Sequence, residues 1–310
     1  MLTHLRTAAL IFVLLPSVGA ALDFNAGLRA YNAGNYRTAL NEWRPLALQG
    51  NARAQNNLGF MYENGRGVDQ DDAEAVRWYR QAAEQGDAIA QINLGFMYAN
   101  GRGVDQDDAE ALRWYRRAAE QENARAQNNV GFMYENGRGV AQDDAEATRW
   151  YRRAAEQGNA IAQINLGFMY ENGRGVAQDD AEATRWYRLA AEQGNASAQI
   201  NLGFMYENGR GVAQDDTEAT RWYRRAAEQG DARAQINLGI MYRDLRLPVL
   251  NAAYSRVLAH MWFNIAATNG YRGAARRRDG LAQDMTSADI AQAQGLAQIC
   301  METNYQNCAE

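Results

Sequence analysis

The chain has 310 residues, 47% of them hydrophobic, which is enough for a large buried core and longer than most single domains. Its formal charge is −5, from 37 acidic against 32 basic residues, all of the latter arginine. Nothing in this balance favours nucleic acid as a partner, because binding a phosphate backbone needs a clustered basic excess.

Taken in chain order, the first element is residues 1–20. Arg6 is followed by an uninterrupted apolar run from Ala8 to Leu15, then Pro16 and the small residues Val18, Gly19 and Ala20. That pattern predicts a signal peptide cleaved after Ala20, and therefore a periplasmic or secreted protein. The run is too short to cross a bilayer core of about 30 Å, and no other stretch could span one. Residues 21–50 read as a degenerate opening helical unit ending in LALQG.

From Asn51 a 36-residue unit recurs, with copies beginning at Asn51, Asp87, Asn123, Asn159 and Asn195, so residues 51–230 hold five copies. A sixth, divergent copy over 231–270 is four residues longer and has lost the central loop sequence. Within the first copy, Ala54, Leu58, Met61 and Tyr62 form one apolar stripe at helical spacing. Asn64 and Gly65 end that helix, since glycine accepts the left-handed conformation a helix C-terminus needs. Asp71 is placed to cap a second helix, with Glu74 three residues on, and the stripe of that helix is Ala75, Trp78, Tyr79, Ala82 and Ala83. Each copy is thus a helical hairpin, and stacking on its neighbours is needed to bury the aromatics. The series Trp78, Trp114, Trp150, Trp186 and Trp222, continued by Trp262, predicts a continuous spine. Gly59 and its equivalents sit mid-helix, where glycine costs about 1 kcal/mol, and so predict close helix–helix approach between repeats.

Residues 271–310 read as C-terminal capping helices, the last capped by Thr286 with Asp289 in the capping-box position. Cys300 and Cys308 are the only two cysteines, and an even count in an exported chain predicts a disulfide stapling this end.

The pattern A-x-A-Q-x-x-L-G-x-M-Y-x-x-G-x-G-V followed by D-x-x-E-A-x-x-W-Y-x-x-A-A-E-Q-G resembles the Sel-one-like repeat (SLR) family, a relative of the tetratricopeptide repeat. The resemblance covers 51–230 closely and 231–270 more loosely. It implies an all-α, right-handed superhelical solenoid of antiparallel α-hairpins that acts as a binding scaffold or adaptor for a protein or peptide, with no catalytic residue; no metal and no cofactor are expected. Some cysteine-rich members are linked with β-lactam or penicillin binding, but they carry cysteine pairs inside each repeat, which this chain lacks. A hydrolase-like activity and an envelope spacer or assembly factor are the alternative functions.

On a helical wheel, Arg53, Asn56, Asn57, Phe60 and Glu63 share a face away from the apolar stripe. In related superhelices the first helix of each pair lines the concave side, which makes this face the candidate site. It carries an asparagine ladder, Asn57, Asn93, Asn129, Asn165 and Asn201, continued by Asn237, whose amides can bond an extended peptide. Beside it run Phe60, Phe96, Phe132, Phe168 and Phe204, with Ile240 in the sixth copy, as apolar anchors. Inter-repeat packing of the phenylalanines is the competing reading, since recent duplication would repeat every position. Two series vary on this face: Arg53, Ile89, Arg125, Ile161, Ser197 and Arg233, and Asn56, Ile92, Asn128, Ile164, Ile200 and Ile236.

Catalytic chemistry is weakly represented. His260 is the one histidine left after removal of the signal peptide, and it reads as a surface or packing residue without a triad around it. The acidic run from Asp69 to Glu74 lacks the glycine and ligand spacing of a calcium loop and reads as helix capping. Gly65, Arg66 and Gly67 lack the strand and Lys-Ser/Thr of a phosphate loop, leaving Arg66 as a solvated turn residue or a weak anion contact.

Overall fold

Each copy folds into the two helices its caps dictate. The computed structural model describes residues 23–246, 251–306 and 308, and the expected signal peptide lies outside them. Among the described residues there are sixteen α-helices and no strand. They fall into two units, one ending at Asp107 and one beginning at Asp108.

The first unit holds α1 (Phe24–Asn32), α2 (Tyr36–Leu48), α3 (Ala52–Asn64), α4 (Asp72–Glu84) and α5 (Ala88–Asn100). The Asn51 side chain accepts from the Ala54 amide at 2.9 Å to start α3, and Asp71 accepts from the Glu74 amide at 2.9 Å to start α4. At the end of α3, Gly65 is left-handed with φ 62° and the Arg66 amide bonds the Met61 carbonyl at 2.9 Å, so the last turn closes as the sequence predicts. Ahead of the repeats, α1 and α2 form a further hairpin in which Trp43 is buried and its indole donates to the Phe24 carbonyl at 3.1 Å.

The second unit holds α6 (Asp108–Glu120), α7 (Ala124–Glu135), α8 (Asp144–Glu156), α9 (Ala160–Asn172), α10 (Asp180–Glu192), α11 (Ala196–Asn208), α12 (Asp216–Ala227), α13 (Ala232–Arg243), α14 (Ala252–Thr268), α15 (Ala274–Ala282) and α16 (Ser287–Glu302). Its core is built across the boundary between copies. Ala147, Tyr151, Ala154 and Ala155 of α8 pack with Ala162, Leu166 and Met169 of α9, and Trp186 of α10 closes the cluster. Trp222 closes the next cluster in the same way. The tryptophans therefore do not form the continuous spine expected: Trp186 and Trp222 plug separate cores, each built partly from the preceding copy. Burying one such indole contributes about 4–6 kcal/mol of gross stabilisation.

The mid-helix glycines correct a second expectation. A Cβ on Gly131 would sit 2.7 Å from the Tyr151 ring, and one on Gly167 would sit 2.7 Å from Tyr187. Both partners lie on the second helix of the same copy, so this close approach is within a hairpin. The close approach between copies is made by the loop glycines. A Cβ on Gly139, Gly175 or Gly211 would overlap the backbone of Asp108, Asp144 or Asp180 in the preceding copy, and all three glycines have positive φ.

At the C-terminal end, α14 packs against α13, α15 and α16 around the fully buried Trp262 and Phe263. Thr286 and Asp289 form the expected capping box, and Cys300 and Cys308 are joined by the expected disulfide.

Candidate binding face

Several of the polar residues that recur from copy to copy join one copy to the next. Arg102 reaches back to the preceding copy, donating to both Asp72 oxygens at 3.1 and 2.8 Å and to Glu63 at 2.8 Å. The other Glu63 oxygen accepts the Tyr79 hydroxyl at 2.7 Å. The same quartet recurs as Tyr151, Glu135, Arg174 and Asp144, and as Tyr187, Glu171, Arg210 and Asp180. Bonding to Asp72, Asp144 and Asp180 holds Arg102, Arg174 and Arg210 above the ordinary guanidinium range. Burial, reinforced by the glutamate, pushes the Tyr79, Tyr151 and Tyr187 hydroxyls far up. The loop arginine is thus neither a solvated turn residue nor an anion contact, but an inter-repeat clasp. Arg66, in the first copy, bonds the Tyr31 hydroxyl and lies 5.4 Å from the Tyr36 and Phe60 ring centres.

One copy departs from the quartet. Ala99 stands where the other regular copies have glutamate, and the Tyr115 hydroxyl makes no hydrogen bond among the described residues. Burial is the main cause that pushes that hydroxyl up to about 12.

A second connection was missed in the sequence. Gln163 lies on the buried side of α9, donates to the Ala155 carbonyl of the preceding copy at 3.1 Å, and accepts from Gln193 of its own copy at 2.8 Å. Gln55 and Gln199 do the same with Ala47 and Gln85, and with Ala191 and Gln229. A recurring glutamine inside an alanine-rich apolar stripe was the available signal, because a buried amide requires partners.

What remains unspent is the face of the first helices. Phe60, Phe96, Phe132, Phe168 and Phe204 are 37–44% exposed, and each asparagine of the ladder is half-buried beside its phenylalanine. The phenylalanines do not disappear between copies. One edge of the row is covered, because Arg102, Arg174 and Arg210 lie 5.9 Å from the ring centres of Phe96, Phe168 and Phe204. The ladder is partly tied: Asn93 donates to Asn56 at 3.0 Å, and Asn165 to Asn128 at 3.0 Å. Asn201 and Asn237, where the preceding copy has Ile164 and Ile200, make no side-chain hydrogen bond among the described residues. The variable Ile89 and Ile161 are exposed at 46% and 57%, whereas Ile92 and Ile236 are buried and leave the face. Glu63 also leaves it, taken up by the clasp.

In the first unit the face deepens into two adjoining hollows of about 250 and 230 Å³. Asn57 and Phe60 line the first together with Leu28, Tyr31 and Trp43, and Arg53 and Ile89 line the second. The contribution of the opening unit was not foreseen, although the density of aromatics between Phe24 and Trp43 signalled it. His260 is buried on α14, where burial lowers its pKa, in keeping with a packing role. Among the described residues no cluster of His, Cys, Asp or Glu is arranged to hold a metal, and no helix is long and apolar enough to cross a membrane.

The Sel1 repeat family model matches six consecutive segments, 52–87, 88–123, 124–159, 160–195, 196–231 and 232–271. Among solved structures, the chain is similar to a protective antigen of uropathogenic Escherichia coli displaying an SLR fold, with 34% identity, a TM-score of 0.76 and coverage of 92% of this chain. The chain spans 64% of the length of that antigen. It is also similar to a Sel1 repeat protein from Oxalobacter formigenes, with 36% identity, a TM-score of 0.69 and coverage of 80% of this chain and 97% of that one. No curated protein matches the chain.

Proposed function

This chain belongs to the Sel1 repeat family, and from that premise we propose that it is a non-catalytic, exported scaffold that binds a protein or peptide along the asparagine and phenylalanine face of its first helices. The observation that carries the reading is the exposure of Phe132, Phe168 and Phe204, at 42–44%, on three successive first helices of one unit. Large apolar side chains repeated at one surface position cost solubility unless something covers them, and aromatic anchors are favoured at interfaces. The asparagine amides beside them supply donors and acceptors for a partner's backbone. Export is supported by the Cys300–Cys308 disulfide, which persists best in an oxidising compartment, and by the leader-like residues 1–20.

The test is site-specific photo-cross-linking in the native envelope. A cross-linker at position 168 is expected to capture a discrete partner, one at position 149 on the second-helix side of the neighbouring copy is expected to capture none, and Phe132→Ala with Phe204→Ala is expected to abolish the capture while helical content stays unchanged. Equal capture from both positions, or none from position 168, would overturn the proposal, the latter in favour of a spacer without a ligand groove.

A further inference from the structure

The charge balance of the whole chain hides a local excess of the opposite sign. Arg272, Arg276, Arg277 and Arg278 fall within one short segment whose nearest carboxylate in sequence is Asp279. Arg243 at the end of α13, Arg256 on α14, and Arg276 and Arg277 in the first turn of α15 line a single hollow of about 420 Å³. Its remaining walls include Leu245, Leu281 and Asp284.

The carboxylates near this hollow are few and mostly taken. Arg243 is held by Asp244 at 2.7 and 3.1 Å. Outside the hollow, Arg278 is held by Asp279 at 2.8 Å and also donates to Asn264. Arg256, Arg276 and Arg277 make no ion pair among the described residues. The loop arginines of the repeats differ: Arg102, Arg174 and Arg210 each face two carboxylates. Around the hollow, four guanidiniums meet two carboxylates, Asp244 and Asp284. Guanidinium cannot relieve such crowding by losing its proton, because it stays charged throughout the physiological range. A dianion would offset the two guanidinium charges that Asp244 and Asp284 leave unmatched.

We propose that this hollow binds a phosphate dianion, free or borne on an organic group. Guanidinium forks match the tetrahedral oxygens of phosphate in bidentate fashion, and a monoanionic carboxylate would leave half of the excess charge in place. The half-buried Arg256 supplies the inner contact, the exposed Arg276 and Arg277 the outer ones, and Leu245 and Leu281 give an apolar wall against which an esterified group can lie. The site is independent of the asparagine and phenylalanine face.

The test is calorimetric titration of the full chain with inorganic phosphate at constant ionic strength, alongside flotation with vesicles containing phosphatidic acid. Saturable phosphate binding is expected, at least about tenfold weaker when Arg256→Gln and Arg277→Gln are combined, as the loss of two charge-assisted contacts requires. Arg149→Gln, which removes an arginine paired with Glu146, is expected to leave it unchanged. Flotation without free-phosphate binding, lost in the same double variant, would assign the site to a lipid headgroup. Failure of both probes, binding unaffected by the double variant, or equal weakening by Arg149→Gln would overturn the proposal. Should the double variant misfold, Arg277→Gln alone repeats the test, because that side chain is exposed.

Discussion

The copies between residues 123 and 230 and the divergent copy at 231–270 solve the same packing problem with different residues. In the regular copies a glycine takes the left-handed position after the first helix, a second glycine lets the loop touch the preceding copy, and a tyrosine hydroxyl bonds the glutamate of the clasp. In the divergent copy Leu245 occupies the left-handed position at φ 54°. Arg246 still reaches Glu207 at 3.1 Å and Asp216 at 3.6 Å, so the clasp outlives the loop sequence that normally presents it. Phe263 stands where the regular copies have tyrosine, and Arg243 stands where they have glutamate. With no carboxylate to accept its hydroxyl, tyrosine there would bury an unmet donor. The difference teaches that between residues 123 and 270 the arginine clasp persists when the loop sequence and the tyrosine hydroxyl are lost.

The sharpest break in this comparison concerns the tryptophans. Trp262 is fully buried beneath the C-terminal helices, whereas Trp186 retains 6% exposure. Trp262→Ala is expected to cost about 5 kcal/mol and Trp186→Ala about 3 kcal/mol in urea unfolding. Equal costs would mean that the cap adds nothing. Next comes Gly175→Ala, which forces a Cβ into the Asp144 backbone at a positive φ and is expected to cost about 3 kcal/mol; an unchanged melting temperature would show that copies tolerate separation at this point.

Tyr151→Phe removes a 2.6 Å bond to Glu135 and is expected to lose about 1.5 kcal/mol, while Tyr115→Phe, which removes a hydroxyl without a protein partner among the described residues, is expected to be neutral or slightly stabilising. Arg174→Gln is expected to cost about 1 kcal/mol at neutral pH, because the clasp is partly exposed. Arg174 holds the Asp144 carboxyl below its ordinary 3.8, so the stability this pair supplies is fully present above about pH 4 and lost as pH falls through the lower folded-state value. The variant should therefore lose less stability on acidification than the parent between those limits, and parallel acid profiles would refute the clasp. The smallest effect is a gain: Leu245→Gly relieves the left-handed strain and should raise stability by about 0.5–1 kcal/mol, checked by thermal melting.

The helices, their caps, the left-handed Gly65, the capping box at Thr286 and the repeat family were all legible in the sequence. Such features are decided by residues within about four positions of one another, and a local pattern carries them. The exposure of the phenylalanine row was half legible: the helical wheel placed it opposite the apolar stripe, but packing between copies was an equally good fit to the pattern. Other features were decided by tertiary structure alone. The partners of Arg102 are Asp72 and Glu63, 30 and 39 positions away. The glycine at 131 meets a tyrosine of its own hairpin, the separate cores replace a single spine, and the arginines around the C-terminal hollow come from three different helices. Periodicity states which side of a helix is apolar, whereas the angle and register at which that side meets its neighbour depend on the summed packing of many side chains.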